Sequence, residues 1–411
     1  MFQILLGRSR QSYGSLKNRL QLPNNQNRPD RYTTDRGHIS PASLRYQGAA
    51  WATAGGGIAA TLTGVYKMLR GFRHLNVLGE TKSPSKERYA ILDNDWLAVS
   101  FLSFLLAMKG GMEVLGLASD TGNSWQKQCG LHALANLEVG NLSCIPVYEG
   151  ATWPLINTPE RFQARELVHG KLPFEGAFGP LNLTAERLGK NPTSGDPNRV
   201  VEEAFVEGLP TTTFDHSTNA ASFMVQMVHK YPHQVSIYSA GALTNIALAV
   251  RMDPSFATLA KELVVMGGYV DINFMIDPEA AKIAINADFS EIIVAGNVAN
   301  QVQSTQEYLD EVHQVDNSFT RLFHDHYGTT IPFWDETAAA LMVDHSIAQN
   351  TSTVYADVDI SYGSPNYGNL RLYQAALKPP GVRQVTYVNR IDGEKLKAIM
   401  KKAMWEPPGY P

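Results

Sequence analysis

The sequence predicts an α/β fold built on an open, mostly parallel sheet flanked by helices. Three observations carry this prediction. Short apolar runs alternate with segments of helical periodicity from about residue 86 onward. The runs have the length of buried strands rather than helices, and several stop abruptly at polar clusters, as strands do where a parallel sheet meets a ligand site. Strand, helix, strand in succession also favours parallel pairing through right-handed crossovers.

In chain order, strands are expected over 89–92, 113–118, 144–148, 235–239, 263–266 and 292–295. Helices are expected between them over 96–108, 124–137, 217–230, 243–251 and 278–285. A strand over 382–387 and an amphipathic helix over 393–403 follow, and Pro407 and Pro408 end regular structure. Residues 149–214 are rich in Gly, Pro, Asn and Thr with little periodicity, so they read as long loops and short helices above the sheet, a common form for lids and substrate walls.

The chain has 411 residues, 44% of them hydrophobic, enough for one large or two average domains. Its formal net charge of -4, with no aromatic-basic repeat in the core region, gives no electrostatic footprint for nucleic acid and favours a small-molecule partner. Cys129 and Cys144 are the only cysteines, which excludes a disulfide framework and a C-x-x-C zinc motif but permits one bridge.

Residues 1–85 read as a separate extension, and residues 86–405 as the folded domain. Between Met1 and Pro29 the extension carries Arg8, Arg10, Lys17, Arg19 and Arg28 without an acidic residue, compatible with an organellar targeting peptide or a disordered basic tail. Residues 49–69 are too rich in Gly and too weakly apolar for a membrane span, though compatible with an internal signal-like segment. Sequons at Asn141, Asn182 and Asn350 are compatible with a secreted or vacuolar protein without selecting that compartment over the cytoplasm.

The residues that could carry chemistry cluster after the expected strands. Asp93 and Asp95 close the first strand, and their spacing of two would put both on one face, where they could approach one cation or polarised water. Strand-end caps are the alternative for an isolated D-x-D. Asp120, Thr121, Gly122 and Asn123 follow the second strand, where a helix cap is the competing role. Residues 239–247 form a strand-to-helix turn of small residues, where backbone can come close to a ligand. Asp271 and Asn273 project from an irregular segment before a helix that Asp277 caps and Pro278 opens, so Asp277 reads as structural. Asp335 adjoins Phe333 and Trp334 ahead of an Ala-rich helix, and again a cap is the simpler role.

Taken in order, these segments resemble the inosine-uridine type nucleoside hydrolases, and their wording is similar to a fungal branch of that family. The matches are Asp93-x-Asp95, Thr121-Gly122-Asn123, Leu243-Thr244-Asn245-Ile246-Ala247, Val265-Met266-Gly267-Gly268 with Asn273, and Asp277-Pro278-Glu279-Ala280-Ala281; His169-Gly170 also resembles a family turn. The resemblance spans about residues 89–340. It implies a Rossmann-like nucleoside hydrolase fold, hydrolysis of the N-glycosidic bond of ribonucleosides, and one bound Ca2+. By that resemblance Asp95 is a metal ligand and the base that deprotonates the attacking water, with Asp335 and the carbonyl of Thr244 as further ligands. Asp271 and Asn273 hold ribose hydroxyls, Asn123 supports metal and sugar, and Asp93 orients these groups from behind. A homo-oligomer is compatible with the resemblance.

Three departures stand out. Val99 and Ser100 occupy the places of two family carboxylates, which implies weaker calcium binding unless Asp120 compensates. Trp334 stands where many members have a histidine; an indole is no useful proton donor but can stack on a base. The connection from Gly268 to Asp271 is short and lacks an upstream Asn for the primary hydroxyl of the sugar. Two other classes share the strand-end acids: a haloacid-dehalogenase-like phosphatase, for which no ordered phosphate-holding Lys and later acidic pair is found, and a non-catalytic nucleoside- or sugar-binding relative with a degenerate metal site.

Overall fold

A computed structural model describes residues 88–190 and 194–409. The expectations for residues 1–85 lie outside the described residues. Nine strands form one sheet: β1 (Tyr89–Asn94), β2 (Glu113–Ser119), β3 (Val147–Glu149), β4 (Val235–Ser239), β5 (Glu262–Val265), β6 (Ile292–Val294), β7 (Ala348–Val358), β8 (Leu370–Tyr373) and β9 (Arg383–Ile391). Their order is β3-β2-β1-β4-β5-β6-β9-β7-β8. The first seven in that order run parallel, while β7 is antiparallel to both β9 and β8.

Alternation along β1 builds both sides of the sheet. Ala90 and Leu92 join an apolar cluster with the helices Leu102–Lys109 and Trp334–Val343, whereas Tyr89 and Ile91 join a second cluster with the helices Ala220–Lys230 and Thr244–Met252. All six residues of β1 are buried, as expected for a central parallel strand. The chain leaves β1 for β2 and β3 on one side and returns to β4 on the other. The gap beyond β1 and β4 is therefore the topological switch point, where open sheets of this class bind ligands.

The structure moves several expected boundaries. The helix expected over 96–108 begins at Leu102, because Trp96 donates its Nε1 to the Ala118 carbonyl at 2.7 Å and Ser100 Oγ accepts from the Leu97 amide at 3.0 Å, fixing turns instead. The strand expected over 144–148 is only Val147–Glu149. Strands β7 and β8 were not expected: β7 carries the polar run Asn350 to Thr353 with an exposed face, and β8 is a short edge strand. Cys129 is buried and Cys144 exposed, and neither is bridged. Among the described residues no helix is long and apolar enough to cross a membrane.

At the amino ends of the strands, Glu262 ties three elements together. It accepts from Ser236 Oγ at 2.5 Å, Lys261 Nζ at 2.9 Å and His345 Nε2 at 3.0 Å. Burial would raise its carboxyl, but hydrogen bonds from His345, Ser236 and Lys261 outweigh burial and bring it from 4.5 down to about 2. A depressed carboxyl contributes stability that is present above its unfolded value and lost as pH falls through the folded one. The protein should therefore lose stability between pH 4.5 and 2. Glu262→Gln should flatten that part of a urea-denaturation profile and lower stability at pH 7 by about 1–3 kcal/mol. An unchanged acid limb would remove Glu262 as its source.

Candidate active site

A cavity of 770 Å³ opens at the carboxyl ends of β1, β4, β5 and β6, within the range that small-molecule sites occupy. Its floor is polar, with Asp95, Asn123, Asp271, Asn273, Asp335 and Glu336. Its walls are largely apolar, and include Phe174 from the long 149–214 segment and Trp334 at the rim. That segment is tied down beside the site: Ala151 N donates to Asn245 Oδ1 at 2.8 Å, and Ala177 N to the Gly122 carbonyl at 2.9 Å.

The end of β1 distributes its polar residues in three directions. Asp93 keeps the alternation of the strand and points to the side of the helix Thr244–Met252, where its Oδ1 accepts from Asn245 Nδ2 at 2.8 Å. Asn94 points to the opposite side and donates to Asp335 Oδ2 at 3.1 Å. The strand ends there, so Asp95 is freed from alternation and reaches the cavity. Asp93 and Asp95 thus do not share a face as their spacing suggests; Asp93 lies behind the site and does not line it.

Asp95 is held from the neighbouring turn. The Asn123 amide donates to its Oδ2 at 2.6 Å, and Asn123 Nδ2 donates to its carbonyl at 3.0 Å. Thr121 closes that turn by accepting from the Gln126 amide at 2.9 Å. Gly122 is required here, because a Cβ would overlap the Asp95 carboxylate. Gly241 plays the same part from β4, where a Cβ would overlap the Asp120 carboxylate and crowd the Asp95 amide at 2.8 Å. Asp120 is fully buried beside Asp93 and Asp95, with the Ala242 amide as the donor that faces it.

Asp271 and Asn273 line the cavity after β5. Asp271 caps a short helix by accepting from the Asn273 amide at 3.0 Å. Asn273 Nδ2 donates to the carbonyls of Ala240 at 2.9 Å and Met266 at 3.0 Å, leaving Oδ1 as its uncommitted atom. The approach to Asp271 is strained: Val270, a β-branched residue, sits at φ 52. Its amide donates to Asn369 Oδ1 at 3.1 Å, and Asn297 brackets Tyr269 with bonds of 2.8 and 3.0 Å.

Thr244 opens the helix Thr244–Met252, and its Oγ1 donates to Asp277 Oδ2 at 2.7 Å. Ala240, earlier in the same turn, lines the cavity, and its carbonyl accepts from Asn273 Nδ2 at 2.9 Å. Asp277 also accepts from the amides of Leu155 and Ala280, which fits its structural reading. Ser100 spends its hydroxyl on the turn after β1. Sequence reasoning assigned no role to Asn94, Asn300, His326 and Glu336; Ala240 lay within the turn 239–247 already singled out, and Glu336 was signalled by its place directly after Asp335.

The electrostatics are those of acids crowded without cations. Among the described residues no Lys, Arg or His forms an ion pair with Asp93, Asp95, Asp120, Asp271, Asp335 or Glu336. Burial, and then the Asp335 charge, push Asp95 well above the usual carboxylate range. Burial with the Asp93 and Asp95 charges does the same to Asp120. Burial raises Asp93 and Asp335 to about 7 each and Asp271 to about 6. Glu336 reaches about 8 through burial and the Asp335 charge.

The carboxylates that line the cavity, Asp95, Asp271, Asp335 and Glu336, offer oxygen donors of the kind that suits a hard divalent cation. Among the described residues, the one group of three acidic or His side chains with ligand atoms within 4.8 Å of one another is Glu262, Glu291 and His345, at the other end of the sheet. There Lys261 already supplies the positive charge to Glu262. The cavity carboxylates are not drawn together to that degree.

The family model of the inosine-uridine preferring nucleoside hydrolases matches residues 90–398. The chain belongs to that family. It is 31% identical over 327 residues to an uncharacterized protein of Schizosaccharomyces pombe, covering 71% of this chain and 78% of that one. A probable uridine nucleosidase of Oryza sativa subsp. japonica is 33% identical over 233 residues, covering 54% of this chain and 62% of the relative. A solved plant nucleoside hydrolase, PpNRh1, has the same fold, with a TM-score of 0.59 at 22% identity over 78% of this chain and 99% of that one. The cavity at the switch point is the candidate site, and Gly122 and Gly241 allow the close approach of the turns that hold Asp95 and Asp120 beside it. Gly241→Ala should lower turnover by about 10²-fold, since a 1 Å misplacement of reacting groups has that cost. Wild-type turnover in this variant would show that Asp95 and Asp120 do not depend on the close approach.

Proposed function

We propose that this chain hydrolyses the N-glycosidic bond of a ribonucleoside to free base and ribose, with Asp95 as the general base. The observation that carries the reading is the state of Asp95 on the cavity floor: one oxygen is fixed by the Asn123 amide and the other is uncommitted. Asp335, Asp95 and the Thr244 carbonyl are the groups that would hold a calcium ion, with Asn94 and Asp120 behind them. Bound there, the ion supplies Lewis acidity toward a water and balances the charge of the carboxylates.

The residues divide the remaining work. Asp95 Oδ1 takes a proton from the water that attacks the anomeric carbon, while the C–N bond breaks and its electron pair leaves with the base. Asp271 and Asn273 Oδ1 accept from sugar hydroxyls. The negative floor stabilises the positive charge that develops on the sugar as the bond breaks. Trp334 offers a stacking face to the base. His326 also lines the cavity and is the imidazole that would meet the leaving base with a proton. Phe174 and the other apolar wall residues limit water to the floor.

The test is a panel of nucleosides assayed for free base and reducing sugar with and without added calcium. Asp95→Asn should lower kcat by about 10²–10⁴-fold, because the amide keeps the shape but cannot take the proton. Its thermal midpoint should stay at or above that of the wild type, since a buried like charge is removed. Near-normal turnover would eliminate Asp95 as the base.

Asp120, buried beside Asp95, is the acid that would offset the charge Val99 and Ser100 leave out. If it contributes to cation binding, Asp120→Ala will weaken calcium affinity measured by titration calorimetry, by about tenfold per 1.4 kcal/mol lost. Tight binding that is unchanged in Asp120→Ala would dismiss this compensation.

A further inference from the structure

We propose that Asn300 is a positioning and specificity residue: it orients the indole of Trp334 and donates a hydrogen bond to the edge of the base. This rests on the reading of Trp334 as the stacking face. Both residues line the same cavity, and Trp334 Nε1 donates to Asn300 Oδ1 at 2.8 Å. Trp334 is 39% exposed and has no aromatic or cationic partner among the described residues. A side chain so placed would otherwise sample several rotamers, and freezing them on binding costs affinity. The hydrogen bond selects one in advance.

The partner also fixes the amide. An indole N–H is a donor only, so Asn300 must present its oxygen to it, and the usual ambiguity between amide oxygen and nitrogen disappears. Nδ2 is left as a two-hydrogen donor. A base that offers a carbonyl oxygen to this wall gains a bond, whereas a base that offers an exocyclic amine sets donor against donor.

Asn300 stands on a firm mount. It belongs to the single turn Asn297–Gln301 that follows β6. Gly296 opens that turn, and a Cβ there would overlap the backbone of Gly267 at the end of β5. The turn is therefore seated directly on the sheet rather than on a free loop.

The experiment uses the full chain with calcium and compares wild type, Asn300→Ala, Asn300→Asp and Trp334→Ala. Uridine, cytidine and a ribosyl fluoride are the substrates, and titration calorimetry of uridine gives binding apart from turnover. Asn300→Ala should raise KM and Kd for uridine by about tenfold, the equivalent of one hydrogen bond with its ordering cost, and leave the constants for the fluoride unchanged. Asn300→Asp keeps an acceptor for the indole but loses the donor, so its uridine KM rises and its uridine-to-cytidine ratio of kcat/KM falls by about tenfold. A uridine KM that is raised in Trp334→Ala but unchanged in Asn300→Ala overturns the assignment to Asn300 alone. Unchanged uridine constants in Trp334→Ala overturn the stacking reading and this proposal with it. Equal losses on uridine and the fluoride in Asn300→Ala reduce Asn300 to a part of the wall.

Discussion

Like charge held out of water is the constraint on which the site depends. Asp93, Asp95 and Asp120 converge from two adjacent strands, and Asp335 and Glu336 approach from a helix on one side of the sheet. Two carboxylates in such proximity cannot both ionise cheaply, and burial raises the cost further. The fold accepts this by spreading the acids over both sides of β1. Asparagines stand between them: Asn245 binds Asp93, Asn94 binds Asp335 and Asn123 binds Asp95. Each is a neutral donor that fixes a carboxylate without discharging it. A lysine in any of these places would stabilise the empty fold and compete with a cation.

Backbone proximity is the second requirement, and glycine meets it. Gly122 and Gly241 let the β2 and β4 turns close around Asp95 and Asp120, and Gly296 lets the β6 turn rest on the end of β5. Stiffness is supplied from the other side by side-chain clamps such as Asn297 on Tyr269 and Asn369 on Val270. Close approach thus comes with a fixed geometry, which is what positioned acid–base chemistry needs.

Much of this was legible in the residues. Apolar runs marked β1, β2, β4, β5 and β6, the first two of them stopping at acids, because a strand buried on both faces leaves an uninterrupted hydrophobic signature. Strands β7 and β8 escaped notice since one face of each is exposed, and β7 takes its ladder from the later strand β9 while β8 pairs only with β7 at the sheet edge. Asp95, Asn123, Asp271, Asn273, Asp335 and Trp334 were all brought to one cavity. Asn300 lay in a stretch without periodicity, and its meaning depends on an indole that is 34 positions away.

The bond from Asn94 to Asp335 joins positions 241 apart in the chain, and β9 must slot between β6 and β7 before the sheet is whole. Contacts of such long range make folding slow, because the entropy of closing large loops is spent before the pairing repays it. The carboxylates that meet in the cavity are scattered in the unfolded chain and have no shared affinity for anything. A cation or nucleoside that requires their convergence binds only the finished protein. The midpoint of unfolding then rises with the concentration of that ligand, by mass action alone, so the supply of such a ligand sets how long the chain survives as well as how fast it works.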